Sequence, residues 1–310
     1  MKADAMKSFS AREIFDFLKQ TVSEFSEDCC MRMGAALAYY TVFAMPPVAV
    51  LLILILGLTY RATGQGDKAE AREDLQNQVK MFVGEQASEE ITTIIKKADL
   101  GSGWLQWTLG IAGVVVSATG VVIALQGTLN EAWEVQPDPN QGGILNFLLK
   151  RVFSLGMILG LGFILLVSTL LTSWLSNYLG GGSAVTAAVI SFIIILGLFT
   201  AIFKYLPDAT IVWKDALIGA AVTTVLFVIG KAALDIYLAR SNMESQFGAA
   251  AAFAILMAWV YYTSLILLYG AEFTQAWAKR FGGGVTPEPG AVRVTRKFER
   301  VDEPADPQPA

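Results

Sequence analysis

The chain has 310 residues, of which 54% are hydrophobic and only 16% charged, with a net charge of −4 and a mean hydropathy of +0.52. Soluble domains carry about 25% charged residues, so this composition excludes a disordered chain and gives no basic surface for nucleic acid. Histidine is absent, which removes imidazole bases, Ser-His-Asp triads and histidine metal sites.

The charges that exist are unevenly placed. Residues 33–60, 100–130, 152–203 and 245–271 contain none, in runs of 28, 31, 52 and 27 residues. A membrane-crossing helix needs roughly 20 apolar residues. The fold expected is therefore all-α, a polytopic membrane helical bundle.

Residues 1–32 form an N-terminal arm rich in both signs of charge, with no apolar core ahead of a small-residue cleavage site. The first span is expected to act as an uncleaved anchor. Ser10 and Glu13 have capping-box spacing, and Ile14, Phe17, Leu18, Thr21, Val22 and Phe25 follow at helical period. Two readings stay open: an amphipathic helix lying on the cytoplasmic face, or a solvated helix docked on the bundle. Cys29 and Cys30 are adjacent, a spacing unsuited to a disulfide, and read as free thiols.

The first span, about 34–58, is interrupted by Pro46-Pro47. Proline removes an N–H and strands carbonyls one turn earlier, and broken membrane helices often line cavities. Tyr39 and Tyr40 precede the break and have hydroxyls to offer it. Residues 61–103 then carry two apolar sets at helical spacing and read as a periplasmic helical segment. A second span follows at 104–127, closed by Asn130, Glu131 and Glu134 as helix-end anchors. The 52-residue run would measure about 78 Å as one helix against a core of roughly 30 Å. Gly180-Gly181-Gly182 divide it into spans at about 152–176 and 184–206.

The fifth span, about 216–238, opens with Lys214 and Asp215 and contains Lys231 and Asp235, four apart on one face. A charge in hydrocarbon costs at least about 2.5–3.5 kcal/mol on insertion scales, so the two are expected to neutralise one another or to meet water. The sixth span, about 249–276, carries Glu272 near one end. Ala216 with Ala220, and Gly156 with Gly160, mark close helix packing. From 279 to 310, glycines, prolines and mixed charge suggest a disordered cytoplasmic tail.

Six spans put both termini on one side. That side holds 15 Lys and Arg, the other 7, so the termini are placed in the cytoplasm. On this topology Trp133, Tyr205, Trp213 and Trp277 form an inner aromatic belt. No Walker loop, metal-ligand cluster or carboxylate pair with a nucleophile occurs, so no cofactor, metal or catalytic residue is expected.

Several stretches resemble the YihY/virulence factor BrkB family of bacterial inner-membrane proteins. They are Ala36-Leu37-Ala38-Tyr39-Tyr40-Thr41 with Pro46-Pro47, Leu129-Asn130-Glu131-Ala132-Trp133, and Leu206-Pro207 with Val212-Trp213-Lys214-Asp215 and Gly219-Ala220. Gly230-Lys231 with Tyr237, Phe247-Gly248-Ala249, Trp259-Val260-Tyr261-Tyr262 and Gly270-Ala271-Glu272 complete a series in family order from about residue 30 to 278. Ala251 departs from the pattern, which has a second glycine there. The resemblance implies a helical inner-membrane protein whose members have been linked with serum resistance and envelope lipid export. Some members carry an old ribonuclease BN label, which the residues here do not support.

The leading functional reading is a non-ATP-driven transporter, or flippase-like protein, for an envelope lipid or related amphiphile. Its partners would be membrane lipids and that substrate, with no nucleic acid. Tyr39, Tyr40, Pro46, Pro47, Lys231, Asp235 and Glu272 are the candidate cavity residues. The alternative is a structural scaffold of an envelope complex, and an enzyme ranks below both.

Overall fold

In a computed structural model, residues 11–45, 119–138, 184–240 and 249–295 are described. Ser10, Pro46, Pro47, the segment 61–103, the span at 152–176 and the glycine turn at 180–182 lie outside them. Among the described residues are six helices: α1 (Ala11–Glu27), α2 (residues 30–45), α3 (residues 119–132), α4 (Ala184–Tyr205), α5 (Trp213–Arg240) and α6 (Ala249–Arg280). Three contain stretches long and apolar enough to cross a membrane, at Ala188–Tyr205, Trp213–Tyr237 and Phe253–Arg280. These match the last three expected spans.

α4 packs on α5, α5 on α6, and α1 on α6. The α5–α6 contact is built from small residues. A methyl group at Gly219 would overlap Thr274, one at Gly270 would overlap Thr223, and one at Gly230 would overlap the Tyr262 hydroxyl. The three pairs keep one antiparallel register. Each threonine bonds back to the glycine carbonyl one turn earlier on its own helix, Thr223 to Gly219 and Thr274 to Gly270. Each helix thus offers a Gly-x-x-x-Thr step into which the other's threonine fits, and the backbones approach closely. Ala216 and Ala220 are fully buried, as their spacing suggested.

α1 is docked on the bundle, as the second open reading expects. Phe17 is buried edge-on against Phe273, Trp277 and Phe281, with ring centroids 5.2, 6.1 and 5.6 Å away, and Thr21 is buried one turn on. Ile14, Leu18 and Val22 form an exposed apolar stripe beside this docked face, of the kind that beds into a headgroup layer. The chain then turns through Asp28 and Cys29, whose φ of 55° lies in the left-handed region. α2 buries Cys30, Gly34, Leu37, Ala38 and Val42 on one side.

Four short strands gather at the end of the bundle where α3, α4 and α6 finish and α5 begins. β1 (Val135–Pro137) pairs antiparallel with β4 (Ala291–Arg293), and β2 (Ala209–Thr210) with β3 (Thr286–Pro287). The tail expected to be disordered over 279–310 is therefore folded as far as Thr295. Residues 279–280 finish α6, Gly284 turns with φ 79°, and its N–H caps the Ala278 carbonyl at 2.9 Å. Val285 is buried, Gly283 donates to Asp215 Oδ2 at 2.9 Å, and Arg293 donates to the Val285 carbonyl. Composition misled because the strands borrow their partners from distant loops. Residues 296–310 lie outside the described range.

Candidate functional sites at two levels of the bundle

Lys231 and Asp235 lie on α5, one turn apart and half-buried. Lys231 is about 27 Å along the helix from Trp213, at 1.5 Å per residue. The two side chains interact electrostatically. The Tyr262 hydroxyl packs on the adjacent Gly230. Polar groups of α5 and α6 thus meet at this level, surrounded by apolar sequence.

Glu272 lies elsewhere, only about 12 Å from the far end of α6 at Arg280. It is 0% exposed, and its Oε1 accepts a hydrogen bond from Cys30 Sγ at 3.4 Å. Its Oε2 has no hydrogen-bond partner. Burial, then the neighbouring Glu272 carboxyl, push the Cys30 thiol up. Trp133 Nε1 donates to the Ala271 carbonyl at 3.1 Å, which ties α3 to α6 beside Glu272. Trp133 is 1% exposed and so is not a belt residue, because its indole N–H is met by protein backbone. Tyr205 and Trp213 are exposed and meet edge-on with ring centroids 5.8 Å apart.

A recess of about 170 Å³ is lined by Glu27, Asp28, Asn130, Glu131, Glu134 and Gln136 together with tail residues Val294 and Thr295, and Asp28 also acts on Glu272. Asn130 holds one wall. It accepts from the Asp208 N–H at 2.8 Å through Oδ1 and donates to Asp208 Oδ2 at 2.8 Å, while Gln126 donates to Asp208 Oδ1 at 3.1 Å. Asn130 is thus more than a helix-end anchor, since it brackets α3 to the α4–α5 connection. Glu134, with φ 55°, ends α3 and pairs with Lys279 at 3.0 Å.

Tyr39 and Tyr40 are about half exposed and lie with Phe43 on the side of α2 opposite its buried face. They join neither cluster, and Pro46 and Pro47 fall outside the described residues. The candidate cavity residues thus divide into separate groups. Sequence reasoning missed Cys30, Asp208 and Gln126. Cys30 was visible only as one of two thiols, and Asp208 as the residue after Leu206-Pro207. Among the described residues, no three Cys, Asp or Glu side chains are placed to hold a metal ion.

A family model, Virulence factor BrkB, matches residues 21–295. A UPF0761 membrane protein of Alcanivorax borkumensis is 29% identical over 84% of the chain, and the match spans 60% of that relative's length. A UPF0761 membrane protein of Pseudomonas aeruginosa is 27% identical over 93% of the chain and 70% of its own. One from Halorhodospira halophila is 27% identical over 86% of the chain and 57% of its own. No solved structure matches.

Proposed function

The chain belongs to the virulence factor BrkB family of integral membrane proteins, and from that membership we propose a non-ATP-driven transporter or flippase-like protein for an envelope lipid or related amphiphile. On this reading it is a multi-pass protein of the bacterial inner membrane. It has six spans, and both termini and the strand-bearing end are in the cytoplasm. No catalytic step is assigned to it. The observation that supports the reading is the half-buried Lys231–Asp235 pair with the Tyr262 hydroxyl beside it. A charge pair at that depth would meet a zwitterionic or anionic headgroup while the surrounding apolar surface accommodates acyl chains.

The test uses Lys231→Met, Asp235→Leu and the double variant. If the two charges neutralise one another, each single change leaves an uncompensated charge and lowers stability in detergent more than the double does. The double variant should insert and fold, yet fail to complement an envelope defect in a strain lacking the native gene. Full complementation by a folded double variant would refute the transport role and favour a scaffold, which has no use for charges inside a span.

A further inference from the structure

Glu272 is enclosed by acidic groups. The side chains acting on it are Asp28 from the α1–α2 turn, Glu24 from α1 and Cys30 from α2, while Glu131 of α3 acts on Cys30. Apart from the thiol, all are carboxyls. Glu24 uses Oε1 to accept from Gln20 at 2.9 Å, and its Oε2 is buried with no hydrogen-bond partner. One turn beyond Glu272, Gln275 is 2% exposed and its Nε2 also has none. Burying an ionised carboxylate among like charges is expensive unless a cation accompanies it. A metal ion needs several converging ligands, an arrangement not found among the described residues. A proton needs one oxygen and a route to water. Glu272 Oε2 supplies the first, and Asp28, which both lines the recess and acts on Glu272, supplies the second.

We propose that Glu272 is a proton-exchange site, loaded from the recess by way of Asp28, with the Cys30 thiol fixing the carboxyl's orientation. This rests on the transport reading only for its purpose, which is to couple substrate movement to protons. The site itself stands on burial and contacts.

The test is infrared difference spectroscopy on the full chain in detergent, stepping the pH in H₂O and in D₂O. The expected result is a carboxylic-acid C=O band that titrates, shifts in D₂O and is lost in Glu272→Gln, which keeps the shape and the Cys30 contact. Asp28→Asn should slow the appearance of that band after a pH step, because the route from the recess to Glu272 is interrupted. Cys30→Ser should shift its frequency without abolishing it. A band unaffected by Glu272→Gln, or one that never shifts in D₂O, would overturn the proposal. Neither result depends on the Lys231 complementation assay, so failure of the site and failure of the transport reading are told apart.

Discussion

Placing a methyl group at Gly219 tests the α5–α6 contact directly. In Gly219→Ala the new carbon would stand 2.7 Å from Thr274 Cβ and 3.0 Å from its Cγ2, with the hydroxyl closer still. Carbon contacts are comfortable at about 3.5–4.0 Å. Thr274 is fully buried, and turning it aside would break its bond to the Gly270 carbonyl, worth about 1 kcal/mol. Overpacking of this kind costs about 1–3 kcal/mol, against which the better helix propensity of alanine returns at most about 1 kcal/mol. A net loss of about 1–2 kcal/mol follows. Adding Thr274→Ala removes the hydroxyl and Cγ2 contacts but leaves the 2.7 Å approach to its Cβ, so the double variant should recover only part of the Gly219→Ala loss. Thermal denaturation in detergent, followed by loss of the monodisperse species, measures both. The reasoning fails if Gly219→Ala melts at or above the parent, or if the double variant loses the sum of the two single losses.

Asn130→Ala strips Asp208 of partners for its N–H and one carboxylate oxygen, and should lower stability by about 1–3 kcal/mol in the same assay. Glu288 follows β3, where burial, then the nearby Asp208 carboxylate, raise its pKa above the usual carboxylate value, with Lys204 opposing. The folded form therefore binds this proton more tightly than the unfolded form. Stability falls as pH rises from the ordinary carboxylate pKa towards the raised one, and is regained below it. Amide hydrogen exchange over Thr286–Arg293, corrected for the intrinsic rate, should slow on mild acidification, and Glu288→Gln should remove that dependence.

What the sequence made legible follows physical range. Uncharged runs located α4 and α6, and an apolar stretch broken only by Lys231 and Asp235 located α5, because lipid imposes a uniform requirement along each helix. Glu272 stood out for the same reason, as an acid at the edge of an apolar stretch. Its contact with Cys30 spans 242 positions, and no local pattern carries such a pairing. Trp133 read as an interfacial residue because indole rings favour the interface, and only the Ala271 carbonyl moves it inside. The tail shows the opposite error. Its composition is that of a linker, yet strands of two or three residues are too short for any periodicity to reveal. Tyr39 and Tyr40 were assigned by adjacency to the prolines, whereas the side of α2 they occupy is set by which of its residues pack against the bundle.

The strand pairs also have a consequence for how the molecule is made. Residues 286–293 follow every helix described here, so a ribosome delivers β1 and β2 long before their partners exist. Until then both segments have open edges, which are templates for pairing with another chain. They close only after α6 has been made and Gly283 has reached Asp215. Closing that end is thus a mark of a finished chain. A chain stalled or cleaved before Thr286 would keep both segments without the strands that pair with them.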